Sequence, residues 1–223
     1  YSETDADLNP RLLTNAFAVA DEKLGATVVR GVAVTGLAGT ANRIEEVSTE
    51  NGDYRADAVV LAAGPWTEFL ALHCGLTLAT PPMRGQMVAY RTNALRHAVW
   101  GEDGYLVPKP RGFVFAGATV EDAGFQKENT PGGIAAMCEM AAALVPALAS
   151  AEVASTWAGL RPGSPDGLPV IGPVPGRDNV FLATGHFRNG VLLAPITGTL
   201  VAQMVLENSI DARLRPFGVE RFG

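Results

Sequence analysis

Two arginines stand in surroundings that are hard on an arginine. Arg161 lies in Ala-Gly-Leu-Arg-Pro-Gly and Arg188 in His-Phe-Arg-Asn-Gly, each among apolar and glycine residues. An unpaired charge in such a place is costly, and a planar guanidinium pairs with a carboxylate through two parallel hydrogen bonds. Two partners satisfy that demand: one of the 23 acidic residues of the chain, in an internal salt bridge, or the carboxylate of a bound ligand. Other chemistry has little material. There are three histidines, His73, His97 and His186, and no serine in a GxSxG turn, so a nucleophile–base pair is hard to assemble and no catalytic residue is assigned. His73 and His97 read as surface or packing residues. Cys74 and Cys138 are far apart, with no CxxC and no histidine at ligand spacing, so neither a disulfide framework nor a metal site is expected. That usage is compatible with a reducing cytoplasm.

The elements that must position these groups centre on Gly185–Leu206. Val180–Thr184 reads as a strand, His186–Gly190 as a turn, and Val191–Leu206 as an apolar run long enough for a helix. A strand that breaks at a glycine turn into a helix aims unsatisfied backbone N–H groups at one point, where a cofactor is expected. The run is interrupted by Pro195, Thr197, Gly198, Thr199 and Gln203, and a membrane-spanning helix needs about 20 mostly apolar residues. A buried core helix, and no membrane span, is the expectation.

Upstream, Asn9-Pro10 caps and starts a helix in which Leu13, Phe17, Ala20 and Leu24 share a face that should lie on something, with Gly25 as its stop. Ala26–Val29 and Val32–Val34 read as a strand with an irregularity at Arg30-Gly31. Arg43–Thr49 and Tyr54–Ala63 flank an Asn51-Gly52 turn of hairpin type. Within the second, Ala58–Ala62 is apolar throughout, as in a strand covered on both faces. It ends in Ala62, Ala63 and Gly64, where small residues let a ligand approach the backbone. A short helix, about Trp66–His73, follows. From Thr80 the texture changes to closely spaced β-runs, Met83–Tyr90, Val99-Trp100, Tyr105–Val107 and Phe113–Ala118, which indicate an antiparallel sheet. Thr130-Pro131 caps a helix over Gly132–Val145, and Glu152–Leu160 is a further strand. Arg161–Gly167 reads as a long turn, Leu168–Ile171 as a strand, and the polar tail Asp211–Gly223 as a solvated end.

The fold class that follows is α/β, α+β overall: part of a doubly wound nucleotide-binding domain with a β-meander crossover, plus an inserted antiparallel-sheet domain. The expected division is 1–78, 79–156 and 157–223, the last segment returning to the first domain. Composition fits this, with 223 residues, 48% hydrophobic and 18% charged. A formal charge of -6 and a pI near 5.1 argue against a nucleic-acid partner. The first residues are polar and acidic, unlike a signal peptide, and the sequence does not begin with Met.

The stretch Trp157–Pro195 resembles the C-terminal signature of the D-amino-acid oxidase superfamily of FAD-dependent oxidoreductases, and within it the glycine oxidase group of the thiamine pathway. Ala56–Trp66 (ADAVVLAAGPW), Pro82–Met87 (PMRGQM), Gly104–Lys109 (GYLVPK) and Gly117–Phe125 (GATVEDAGF) match in the same order, so the likeness covers nearly the whole chain. One departure is large. The family opens with a GxGxxG turn that seats the FAD pyrophosphate, and this sequence contains none, so it is expected to hold one side of the flavin site.

The resemblance implies roles for particular residues. Arg161 and Arg188 match the arginines flanking the substrate carboxylate, and Tyr105 matches the tyrosine that helps hold it. His186, Phe187, Arg188, Asn189, Gly190, Val191 and Leu192 match the loop along the isoalloxazine, Val32 the residue whose backbone meets the adenine, and Ala63 and Gly64 the cofactor-facing strand end. Some relatives attach FAD through a cysteine near Gly159–Asp166, where this chain has none, so non-covalent FAD is expected. The implied activity is oxidative deamination of a small amino acid or secondary amine, giving an oxoacid, ammonia or amine, and peroxide. Its implied setting is the cytoplasm, with a small amine substrate and self-association into a homo-oligomer as the partner classes. Two other readings stay open: a D-amino-acid dehydrogenase with an acceptor other than oxygen, and a flavin-free subunit or assembly partner.

Overall fold

The computed structural model describes residues 6–223. In chain order its elements are α1 (Pro10–Lys23), β1 (Val34–Gly39), β2 (Ile44–Thr49), β3 (Gly52–Tyr54), β4 (Val59–Leu61), α2 (Thr67–Leu72), β5 (Pro82–Arg91), β6 (Val99–Trp100), β7 (Tyr105–Lys109), β8 (Phe113–Gly117), β9 (Glu121–Asp122), α3 (Pro131–Leu144), β10 (Glu152–Pro162), β11 (Val170–Pro173), β12 (Val180–Thr184) and α4 (Gly190–Glu207). Single 3-10 turns follow β4 and α3, and two more form the tail. This mixture of helices with several antiparallel sheets is the α/β arrangement expected. By internal contacts the chain divides into two units: Val29–Pro82 with Arg161–Gly223, and Met83–Leu160 with the segment that ends at Val28.

The unit holding both arginines is layered around a three-stranded sheet of order β11-β12-β4, with β11 antiparallel and β4 parallel to β12. Because successive strand residues face opposite ways, β12 serves two cores. Val180 and Leu182 join Leu37, Ile44, Leu61 and Ala71 on the side of the β1–β3 meander and α2. Phe181 joins Leu200, Val201 and Met204 of α4 on the other. The meander itself is the expected β-crossover, antiparallel throughout, with the Asn51-Gly52 turn between β2 and β3. Asn179 fixes it to the central sheet. Its buried amide accepts from the Ile44 N–H at 3.0 Å and donates to the carbonyls of Ile44 at 2.7 Å and Asp57 at 3.0 Å.

The other unit carries a six-stranded sheet of order β10-β5-β8-β7-β6, with β9 also on β5. Its core packs Val88, Tyr90, Leu106, Val114 and Ala116 against Met137, Met140 and Ala141 of α3. A polar cluster holds the start of α3. The Thr130 hydroxyl accepts from the Gly133 N–H, as an N-cap does, while buried Gln86 accepts from the Thr130 N–H at 2.7 Å and donates to Glu121 and Thr130. Glu121 is also paired with Arg84.

Several expectations need correction. No strand forms over Ala26–Val29 or Val32–Ala33, which flank Gly31 at φ 70; the strand begins at Val34. None of the residues of α1 is buried, and the face built on Phe17 and Leu24 is largely exposed, at 47% and 87%. β4 is not covered on both faces either: Leu61 is buried but Val60 is 40% exposed. Arg161 does not begin a turn, since β10 runs on to Pro162. The tail is not a solvated end: Leu214 and Val219 are buried, and Arg221 pairs with Asp166. Finally, α4 is buried along one face only. Thr197, Leu200, Val201 and Met204 are covered, whereas Leu192 and Leu206 are 77% and 82% exposed. By length and composition alone this helix is apolar enough to cross a membrane.

Candidate functional site

The carboxyl ends of the parallel strands β4 and β12 lie side by side and are joined by a hydrogen bond, from the Thr184 hydroxyl to the Gly64 carbonyl at 3.0 Å. Gly64 has φ 57, which turns the chain away from β4 at the cost of excluding most side chains. Beyond Thr184, Gly185 also takes a positive φ, 72, and a Cβ there would come to 3.3 Å from the Val170 N–H nitrogen. Phe187 follows at φ 47, a left-handed conformation that a non-glycine residue holds only when its surroundings enforce it.

What enforces it is local. The Phe187 N–H donates to the Pro162 carbonyl at 2.9 Å, and the Asn189 N–H to the His186 carbonyl at 2.9 Å. The first of these ties the residue before Arg188 to the residue after Arg161, so the two arginine-bearing segments are held by one backbone bond. Arg161 is half-buried at the end of β10, while Arg188 is exposed and has no ion-pair or hydrogen-bond partner among the described residues. An internal salt bridge is therefore not what holds Arg188 in place.

α4 starts at Gly190, and its N-cap residue Asn189 makes no side-chain capping bond. The leading N–H groups of the helix, those of Gly190, Val191 and Leu192, are thus left pointing out of its first turn. A helix N-terminus favours nearby negative charge by roughly 0.3–1 kcal/mol when exposed and up to about 2 kcal/mol when partly buried. Beside it runs an apolar groove of about 750 Å³, lined by Val60, Ala62 and Gly64 on one side and by Gly190, Ala194 and Gly198 of α4 on the other. His186 and Thr197 also face it, with His186 Nε2 3.0 Å from Thr197 Oγ1. Burial pushes the His186 pKa down from 6.5, against an interaction with the Thr184 backbone that acts the other way.

Ala63, Gly64 and His186–Leu192 therefore gather at one strand-end and helix-start. Val32 is half-buried in the stretch before β1 of the same unit. Tyr105 belongs to the other unit, where it opens β7 with its ring 4.9 Å from that of Trp100. Cys74 is buried in the core beneath the meander, away from the groove lining. Sequence reasoning missed Thr184 and Thr197. A threonine in an apolar helix, counted only as an interruption of the run, was the available signal for Thr197.

Residues 1–204 match the family described as DAO, FAD dependent oxidoreductase. Among curated proteins, the chain is 39% identical over 199 residues to a glycine oxidase of Pseudomonas aeruginosa, covering 88% of this chain and 55% of that protein. It is 37% identical over 225 residues to the bifunctional protein ThiO/ThiG of Synechocystis sp., covering 98% of this chain and 33% of that one. Among solved structures, glycine oxidase from Geobacillus kaustophilus superposes with a TM-score of 0.86 at 35% identity, over 93% of this chain and 56% of that one. The chain thus spans about half the length of the glycine oxidases it matches. A family match over residues 1–204 places this chain in the DAO family of FAD dependent oxidoreductases.

Proposed function

We propose that this chain forms the substrate-side half of an FAD site in an amine oxidase of glycine oxidase type. The observation that carries the reading is the uncapped start of α4 lying beside the small residues Ala62–Gly64, with Arg161 and Arg188 tied to the same turn through the Phe187–Pro162 bond. The residues present fit a flavin on this side: unsatisfied N–H groups suit the electron-rich edge of its reduced ring, and residues without bulk leave it room. The pyrophosphate cradle is not among them, since the sequence has no GxGxxG turn. When bound, FAD supplies the capacity to take two electrons from a carbon–nitrogen bond.

The work of the protein's own residues is binding and orientation. Arg188 and Arg161 hold the substrate carboxylate, with Tyr105 added by the family resemblance alone. Backbone N–H groups of Gly190–Leu192 would face a bound flavin ring, and Val32 would meet the adenine end of the cofactor. In this reading attachment is non-covalent, since Gly159–Asp166 holds no cysteine. The substrate is a small amino acid or secondary amine, and the products are an oxoacid, ammonia or amine, and peroxide. α4 serves as a core helix of the nucleotide-binding domain, supported by the packing of its Leu200, Val201 and Met204 on the central sheet.

The test uses protein expressed from the complete coding region. It should carry a bound-flavin absorbance band and release peroxide with glycine or sarcosine. Arg161→Ala should lower kcat/KM by roughly tenfold to a hundredfold, as expected for a charged hydrogen-bond partner, with the flavin band unchanged. Unchanged kinetic constants in that variant would remove the carboxylate role. Turnover with an artificial acceptor but none with oxygen would select the dehydrogenase reading.

A further inference from the structure

Two hydrogen bonds flank the Gly185–Gly190 turn. His186 Nε2 meets Thr197 Oγ1 at 3.0 Å, and the Thr184 hydroxyl donates to the Gly64 carbonyl at 3.0 Å. The first fastens the turn to α4, and the second fastens the end of β12 to the end of β4.

Those ties converge on the turn that carries Arg188. Apart from the Phe187–Pro162 backbone bond, the turn has one side-chain anchor among the described residues, and it is His186. Phe187 is held at a positive φ directly after it. Thr197 is buried in the second turn of α4, which makes it a fixed point for the ring to lean on.

We propose that Thr197 is a positioning residue which, through the hydrogen bond between its hydroxyl and Nε2 of His186, sets the Gly185–Gly190 turn and with it the placement of Arg188. The functional half of this rests on the amine-oxidase reading above; the structural half does not. The side chains lining the groove around His186, from β4, β12 and α4, include no other ionisable group, and Arg188 lies two residues on and exposed. No neighbouring charge competes with Thr197 for the ring.

Nitrogen-15 NMR of this chain, with no cofactor added, reads the ring directly. The expected spectrum shows Nε2 engaged in a hydrogen bond. Thr197→Val, which keeps the shape and loses the hydroxyl, should abolish the Nε2 hydrogen-bond signature and shift the amide resonances of Gly185–Gly190; Thr197→Ser should restore both. In the flavin-loaded full-length protein, Thr197→Val should raise KM for the amino acid about three- to tenfold, the loss of one hydrogen bond, while kcat changes less. An Nε2 without a hydrogen-bond signature in the wild-type ring would overturn the proposal even if the valine variant failed to fold. So would a valine variant whose turn resonances match the wild type. If the ring and turn respond as expected and the full-length protein takes up no flavin, the positioning stands and the cofactor reading falls.

Discussion

Asn179 shows how much one side chain can hold. Its amide makes three hydrogen bonds to backbone groups of Ile44 and Asp57, and it is buried to 3% exposure. Asn179→Ala would leave the Ile44 N–H and carbonyl facing a cavity without partners. We expect a loss of about 2–4 kcal/mol in urea unfolding, since each buried unsatisfied group costs about 1–3 kcal/mol. A loss under about 0.5 kcal/mol, the size of an ordinary surface substitution, would mean that water or backbone adjustment replaces these bonds. Nothing in the sequence marked Asn179. It precedes a strand, where asparagine is an ordinary turn residue, and its partners are 135 and 122 positions away. The arginines were legible because their local context was anomalous, and His186 because it stood in a recognisable turn.

At the scale of elements, the anchoring of α3 carries two predictions. A Cβ on Gly133 would fall 2.1 Å from the Gln86 amide nitrogen, which already bonds Glu121 and Thr130. Alanine has the higher helix propensity by about 1 kcal/mol, yet Gly133→Ala should destabilise the protein, because Gln86 is fully buried and has nowhere to go. A rise in the unfolding midpoint would show that the cluster yields.

Glu121 supplies the pH dependence. Burial raises its pKa, but hydrogen bonds from Thr119, Arg84 and Gln86 outweigh it and hold the carboxyl below 4.5. A depressed carboxylate adds stability above its unfolded pKa and loses it as the pH falls through the folded value. Glu121→Gln should therefore flatten the fall in stability below about pH 4.5, which urea titrations from pH 5 downward would measure; an unchanged slope would assign the acid sensitivity elsewhere. Strands and helices with clear periodicity, such as β12 and α3, were readable to within a residue or two. β1 was missed because Val-Thr-Gly-Leu-Ala-Gly has neither alternation nor β-branched density, and its pairing comes from β2. Half-exposed β4 and one-sided α4 were read as fully covered, because an apolar run carries no information on what lies against it.

At the scale of the molecule, the family and the α/β character were legible because spaced motifs agreed in order along the chain, although no one of them is specific. The grouping into units was less so: the segment that ends at Val28 goes with Met83–Leu160, and contacts between distant segments decide that. The central claim is that Ala62–Gly64, the His186–Leu192 turn and the start of α4 form one side of an FAD site. Its most direct test is the ultraviolet–visible spectrum of the full-length protein as purified, followed by anaerobic addition of glycine. The account predicts a bound oxidised-flavin band that bleaches on adding the amino acid and returns with oxygen, and that bleaches far more slowly in Arg188→Ala. A protein that carries no flavin, or whose flavin band is indifferent to glycine and sarcosine alike, would contradict it.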